Sequence, residues 1–284
     1  MLRSMNSAIS GMQAFQTDLD VVGNNIANVN TVGFKSSSTN FANILSQTLA
    51  GGSSGTATQG GTNPQQVGLG VKVASTAMDF SQGATDTTDI PTNVLINGNG
   101  LFAVQDASGN TYYTRAGDFS VDNDDNLVLP NGMIAQGWSS ADASSGNPTA
   151  GELTNINLKA LDSNVAANPN VQIGSDGSIT VSNTDGTTSV VGYLAIANVP
   201  NQDGLEQQGD NLFSVTTASG PASYSLPGKS NAGTLQSGAL EGSNVDLSSQ
   251  FAEMIVAQNA YVANTHMIGT DNTILQALVN MKNS

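Results

Sequence analysis

The C-terminal segment of this chain carries the feature that most limits what it can fold into. Between Asn244 and Ser284, Leu247, Met254, Tyr261, Ile268 and Leu275 recur in steps of seven. Phe251 and Val279 fall on the adjoining line, and Ile255, Val262 and Leu278 widen the stripe. That spacing predicts an amphipathic, coiled-coil-like helix, roughly 60 Å long at about 1.5 Å per residue. No compact domain of this composition needs so long a helix at its end, so the stripe asks for a partner. The opening residues offer one. Leu2, Met5, Ile9, Met12, Leu19 and Ile26 keep a three-four spacing beside Phe15, Val22 and Val29, and only Gln16 and Gly23 interrupt it. Two arrangements satisfy the pattern: a helix pair that closes a globular domain, or a self-assembling segment whose apolar stripe is completed by neighbouring copies. Gln258, Thr265 and Asn272 sit at seam positions, where an amide can fix register, or face water.

Between the two ends the periodicity changes. The first helix should stop near Asn30, where Asn and Thr compete for local hydrogen bonds and Gly33 follows. A short helix is expected from Thr39 to Ala50 on Phe41, Ile44, Leu45 and Leu49. Gly51 to Gln66 reads as a polar linker, or an arm that orders only on a neighbour. From Gly70 the period becomes two. Val71 and Val73, Phe102 and Val104, Tyr112 and Thr114, Phe119 and Val121, Leu127 and Leu129, and Met133 to Trp138 form short strands, separated by turn signals such as Ser108-Gly109-Asn110 and Asn131-Gly132. Alternation lapses from Ser139 to Pro169 and resumes through Val171 to Ile173, Ile179 to Val181, Val190 to Val199 and Leu212 to Val215. The expected fold is therefore α+β: paired terminal helices (1–30 and 244–284), a linker or arm with a short helix (31–70), a discontinuous antiparallel β domain (71–138 and 170–243) and a small exposed insertion (139–169).

Composition narrows the function classes. The formal net charge is −15 with only seven Lys and Arg among 284 residues, and they are scattered, so no basic patch exists to neutralise nucleic-acid phosphates or anionic lipid. Cysteine is absent, which excludes disulfides and thiolate chemistry. No apolar run approaches the roughly 18 residues of a membrane span, and Met1-Leu2-Arg3 does not open a cleaved leader.

Motifs for chemistry fail one by one. Gly51-Gly52-Ser53-Ser54-Gly55 matches a nucleophile elbow but lacks the strand and helix that would strain the serine. His266 is the single histidine and reads as a helix-surface residue. Asp122, Asp124 and Asn126 alternate like a calcium loop, yet Leu127 and Met133 stand where it needs Gly and Glu. Gly98-Asn99-Gly100 lacks the remainder of a dinucleotide site. No catalytic residue, cofactor or metal is expected, and the chain is not read as an enzyme.

Longer motifs then converge. Leu19-Asp20-Val21-Val22-Gly23-Asn24-Asn25-Ile26-Ala27-Asn28 with Gly33-Phe34-Lys35, Asn97-Gly98-Asn99-Gly100-Leu101-Phe102, and Tyr113-Thr114-Arg115-Ala116-Gly117-Asp118-Phe119 resemble the axial rod and hook family of the bacterial flagellum. So do Gly209-Asp210-Asn211-Leu212-Phe213, Gly238-Ala239-Leu240-Glu241-Gly242-Ser243-Asn244-Val245-Asp246-Leu247-Ser248 and Met254-Ile255-Val256-Ala257-Gln258. Residues 240–248 and the ending Leu278-Val279-Asn280-Met281-Lys282 are the most hook-like. The small 139–169 segment and the long 36–66 arm depart from many hooks, and a long arm there is also similar to the distal rod.

The resemblance implies an inner helical domain around a central export channel, with the β domain outside. It also implies uncleaved secretion through the flagellar export apparatus and assembly beneath a hook cap into a homopolymeric, flexible tube. That tube would be the universal joint between distal rod and hook–filament junction proteins, extracellular, in the hook and basal body. The self-assembly residues would be Leu2, Met5, Ile9, Met12, Phe15, Leu19, Val22 and Ile26 with Leu247, Phe251, Met254, Ile255, Tyr261, Ile268, Leu275 and Leu278. A rigid distal rod shaft is the alternative within the family. A secreted acidic β-rich adhesin is the alternative outside it, and leaves the paired terminal stripes unexplained.

Overall fold

A computed structural model describes residues 2–55, 60–140, 153–162, 170–229 and 231–282. The chain divides into two compact units, one of Met1–Ala27, Ser37–Met78 and Asp246–Ser284, the other of Asn28–Ser36 and Asp79–Val245.

The first unit is built on helices α1 (Leu2–Ala27) and α2 (Leu247–Lys282). Asp246 caps α2: its carboxylate accepts from the Ser248 N–H at 3.0 Å and its carbonyl from the Gln250 N–H at 3.0 Å, which satisfies donors that helix starts leave open. Helix α1 stops at Ala27, earlier than its apolar pattern. Asn28 diverts the chain into a turn, accepting at its carbonyl from Thr31 N–H at 3.1 Å and at its side chain from the Thr31 hydroxyl at 3.1 Å.

Strands β1 (Ser37–Asn43), β2 (Ser46–Ala50), β3 (Gln65–Gly68) and β4 (Val71–Met78) complete this unit. β1 pairs with β4 from Ser37↔Met78 to Asn43↔Val71, and β2 with β3 from Ser46↔Gly68 to Ala50↔Gln65, all antiparallel. A bridge between Ser53 and Thr62 prolongs the hairpin. The expected helix over Thr39–Ala50 is therefore two strands. A short Ser/Thr/Asn-rich segment cannot offset helix nucleation by itself, and pairing with 65–78 supplies every second residue with a cross-strand neighbour. Val71 and Val73 likewise belong to this hairpin and not to the β domain.

Beside two two-stranded ribbons, Val94–Asn97 with Thr234–Ser237 and Thr85–Thr87 with Ala239–Glu241, the second unit holds a sheet of thirteen strands among the described residues. Its path runs Val171–Ile173, Ser178–Ser182, Thr188–Leu194, Ile134–Ser139, Leu101–Gln105, Thr111–Thr114, Leu212–Ser214 and Glu206–Gly209, each antiparallel to the next. Gly109 takes φ +88° at one hairpin turn, a conformation that favours glycine. The alternating residues converge on one core. Phe102 meets Phe119 edge to face at 5.2 Å, among Val104, Leu127, Ile179, Leu194 and Ile196.

Within the segment expected to be an exposed insertion, Thr154–Asn155 pairs with Ile134–Ser139, and Ile156 and Leu158 are buried in that core. Residues 141–152 and 163–169 of the same segment lie outside the described residues. Ile156 and Leu158 were hidden in the sequence because only one short stretch between two polar runs carries them.

Phe102→Ala removes the central ring of this core. It should cost about 3–5 kcal/mol of unfolding free energy, measured by urea titration followed through Trp138, the single tryptophan.

Candidate assembly surfaces

The helix pair is antiparallel and keeps one register along its length. The Ser4 hydroxyl donates to the Asp271 carboxylate at 2.7 Å, and Asn25 Nδ2 donates to Gln250 Oε1 at 2.9 Å. Between them, a Cβ on Gly11 would lie 3.0 Å from Asn264 Nδ2. Each seven-residue advance on α1, from Ser4 to Gly11 to Asp18 to Asn25, thus matches a seven-residue retreat on α2, from Asp271 to Asn264 to Ala257 to Gln250. This line of the seam is polar or small, which lets the backbones approach closely. The other line is Met254, Tyr261, Ile268 and Leu275, all half-buried.

Of the line Phe251, Gln258, Thr265, Asn272 and Val279, whose polar members were open between fixing register and facing water, all five are exposed; the Thr265 hydroxyl still reaches Met12 Sδ at 3.5 Å, and the α2 amide bonded across the pair is Gln250. The helix is turned toward its small residues because bulky Phe251 would hold α1 away, whereas Gly11 and Ala257 admit it.

On α1, Val22 is buried, Met5, Met12, Phe15, Leu19 and Ile26 are half-buried, and Ile9 is exposed; Leu2 opens the helix. On α2, Leu247, Phe251, Ile255 and Leu278 are exposed.

The exposed residues of α2 do not form a single stripe. At 3.6 residues per turn, Phe251, Ile255 and Val262 fall on one flank of the seam, and Val256, Met267, Ile274, Leu278 and Met281 on the opposite flank; Ile255 is 58% and Val256 64% accessible. Apolar residues thus spread over more of α2 than the single stripe of a surface helix, and one partner helix covers only one face of it.

The hairpin arm has the same character. Leu45 is 82% accessible, and Leu49, Val67 and Leu69 are also exposed. No charged residue occurs between Lys35 and Lys72, and α2 carries only Glu253, His266, Asp271 and Lys282. In a chain of net charge −15, these are the segments on which copies could approach one another without like-charge repulsion.

The second unit holds a buried ion cluster. Lys35 Nζ donates to Glu241 Oε1 at 2.8 Å and to the Ser81 carbonyl at 2.7 Å, with both ionic side chains fully buried. The same Oε1 accepts from Gly83 N–H at 3.0 Å, and Oε2 faces Arg115 Nη1 at 3.5 Å. Arg115 also donates to the carbonyls of Ile96 at 3.2 Å and Gly98 at 2.6 Å. Burial pulls the Lys35 ammonium below its ordinary pKa, and the bond to Glu241 opposes that; burial likewise lowers the Arg115 guanidinium. Gly33, at φ +68°, donates its N–H to the Glu241 carbonyl at 2.8 Å, and a Cβ there would lie 2.6 Å from the Ala116 nitrogen. The cluster thus ties together the stretch that follows α1 and the stretch that precedes α2. Lys35, Arg115 and Glu241 stand in three separate sequence motifs that nothing local joins; the one sequence signal for the cluster is that Lys35 is the single charge between Asp20 and Lys72.

Thr31, Val32, Ala116, Asp118, Leu129, Pro130, Asn131, Asp210 and Asn211 line an open cleft of about 520 Å³ in this unit. Asp118 Oδ1 is buried there with no hydrogen bond, and burial raises its pKa above the usual carboxylate range. The rejected motifs have local explanations. Asp122 Oδ1 accepts from the N–H groups of Asp124 and Asn126 at a hairpin tip, Ser53 pairs with Thr62 in the arm, Gly98 and Gly100 form a turn with positive φ, and His266 is exposed on α2. Among the described residues no group of acidic or histidine side chains is placed to hold a metal, and no helix is long and apolar enough to cross a membrane.

Comparison with known proteins covers both units. The flagella basal body rod protein family matches residues 5–35, the flagellar hook protein FlgE/F/G D1 domain residues 95–181, and the flagellar basal body rod FlgEFG protein C-terminal family residues 236–281. The flagellar basal-body rod protein FlgG of Bacillus subtilis (strain 168) is 43% identical over 283 residues, spanning 99% of this chain and 100% of that protein. FlgG of Caulobacter vibrioides is 36% identical over 278 residues, spanning 97% and 98%. The flagellar hook protein FlgE of Borreliella burgdorferi is 29% identical over an alignment of 443 positions that spans both chains completely.

Lys35→Met removes the nearest cation from Glu241 in a dry site, leaving it the Gly83 N–H and Arg115 at 3.5 Å, and should destabilise the second unit by about 3–5 kcal/mol; Lys35→Met with Glu241→Gln should recover part of that loss in a double-mutant cycle read by Trp138 fluorescence. For Asp118 the sign is opposite. Its folded pKa lies above the ordinary 3.8, so its contribution to stability is fully present below that value and lost as pH rises through the folded one. Asp118→Asn should therefore raise the melting temperature at pH 7, with the gain disappearing as pH falls toward 3.8.

Proposed function

The chain belongs to the axial rod and hook family of the bacterial flagellum, and we propose that within it this protein is a rod-type subunit. It is a structural protein that self-assembles into a polymeric tube. The observation that carries the rod reading is co-linearity. The chain aligns with the Bacillus subtilis rod protein end to end with almost no length difference, whereas alignment with the Borreliella burgdorferi hook protein needs 443 positions for 284 residues. The hook preference drawn from residues 240–248 and 278–282 gives way on this point: the C-terminal family that matches residues 236–281 takes in FlgE and FlgG alike, so those motifs do not separate the two.

The physics of the arm supports the same reading. A joint that bends must let contacts slide, while a shaft must not. An uncharged β hairpin with open edges and exposed Leu45 and Leu49 can add backbone hydrogen bonds and apolar contact to a neighbouring copy, and contacts of that kind resist sliding. In this reading the two apolar flanks of α2 and the arm pack on neighbouring copies around an export channel. The ends of the polymer meet other axial proteins, and each subunit arrives through the flagellar export apparatus.

Electron microscopy of polymers grown from the purified chain should show straight, stiff rods; short, curved, flexible tubes would return the hook reading. Deleting Leu275–Ser284 should abolish polymerisation while the β unit keeps its cooperative Trp138 unfolding transition. Tubes formed normally by the truncated chain would remove α2 from the assembly surface.

A further inference from the structure

One side chain of α1 makes three hydrogen bonds to two other elements, β1 and α2. Asn25 is 1% accessible. Its Oδ1 accepts from the Ser37 N–H at 3.0 Å, its Nδ2 donates to the Ser37 carbonyl at 2.8 Å and also to Gln250 Oε1 at 2.9 Å. A primary amide has two N–H donors, and here both are used. The carboxamide therefore copies what a neighbouring strand would offer Ser37, a donor and an acceptor together, at the first residue of the arm. It does so from α1 while holding α2 in register.

The rest of the arm base follows α1 from that point. Phe41 packs on Phe15 with ring centroids 5.5 Å apart, and the Val71 N–H donates to Ser10 Oγ at 3.3 Å. The phenylalanine contact is part-exposed and non-directional, and the Ser10 bond is long. At Asn25, by contrast, the arm is fixed by short, directional bonds that also include α2.

We propose that Asn25 is the positioning residue of the arm: its carboxamide sets the direction in which the hairpin leaves the helix pair, so that force on the arm reaches α1 and α2 together. Nothing in the family matches assigns this role, and it holds for a rod or a hook subunit alike.

The absence of cysteine makes a distance measurement clean. Spin labels on S46C in the arm and Q258C on α2, both exposed sites, are read by pulsed electron resonance in chains diluted into polymers of unlabelled wild-type protein. The wild-type chain should give one narrow distance at pH 7 and pH 4. Asn25→Leu fills the space without the bonds, and Ser37→Pro deletes the N–H that Asn25 accepts while leaving both helix sequences unchanged; each should at least double the width of the distribution. Asn25→Asp keeps the acceptor and loses both donors, so it should be broad at pH 7. Protonation near the ordinary carboxyl range, about 4, restores one donor and should narrow it at pH 4.

Space-filling alone predicts none of that pH response. Widths unchanged in Asn25→Leu and Ser37→Pro, or an Asn25→Asp width that does not respond to acid, would overturn the proposal. If Asn25→Leu cannot enter wild-type polymers, the Ser37→Pro and Asn25→Asp widths decide it. The straightness of the wild-type polymer, which tests the rod reading, is a separate observation on unlabelled protein.

Discussion

The antiparallel register of the two terminal helices is the constraint on which the first unit depends. It is set by hydrogen bonds at Ser4–Asp271 and Asn25–Gln250 and by the small residues Gly11 and Ala257, not by a wide apolar stripe. A seam with one polar line buries little hydrocarbon, and its hydrogen bonds contribute only about 0.5–1.5 kcal/mol each. Its value is specificity: a slip of one residue would take Asp271 from the Ser4 hydroxyl and one N–H of Asn25 from Gln250, leaving buried polar groups unsatisfied at about 1–3 kcal/mol apiece. The pair has one register and modest stability, with its larger apolar residues still facing outward.

Charge is divided along the chain in the same spirit. The segments with exposed leucine, valine and isoleucine, residues 36–71 and most of α2, are almost free of charge. The acidic residues that give the chain its net −15 lie mostly in the stretch from Asp79 to Glu241. Two of the seven basic residues, Lys35 and Arg115, are spent inside the ion cluster, so the accessible surface is more acidic than composition states. Repulsion between copies keeps acidic surfaces apart at a range of about a Debye length, and close contact is left to the uncharged segments.

How much of this could be read beforehand follows from the range of the interactions. Helix α1 and helix α2, the alternating strands and turns such as Ser108-Gly109-Asn110 rest on local spacing, and they were legible. The arm was misread as a helix because Phe41, Ile44, Leu45 and Leu49 also suit a helical face, and what decides between the two is pairing with residues 65–78, far along the chain. The line of Met254, Tyr261, Ile268 and Leu275 was legible, but the small and polar line beside it was not, because Phe251 and Val279 look like better core residues than Ala257 and Asn264. Periodicity locates an apolar line but does not say which neighbouring line the partner's Gly11 will admit. The Lys35–Glu241 pair joins residues 206 apart, and no periodic pattern encodes such a contact. The quoted motifs reach the rod and hook family and no further, since they lie in segments that the matched families span.

The two units consequently differ in what completes them. The sheet buries Phe102, Phe119, Trp138 and Ile179 by itself, and its most expensive charges, Lys35 and Glu241, find each other inside it. The helical unit leaves Phe251, Ile255, Val256, Val262 and Ile274 in water, each forgoing about 1.5–3 kcal/mol of burial at most. A polymer that covers those residues adds that stabilisation to the helices and none to the sheet. Assembly should therefore tighten the helix pair and arm selectively, and a subunit built this way can be a self-sufficient β body whose helices reach their full stability only between neighbours.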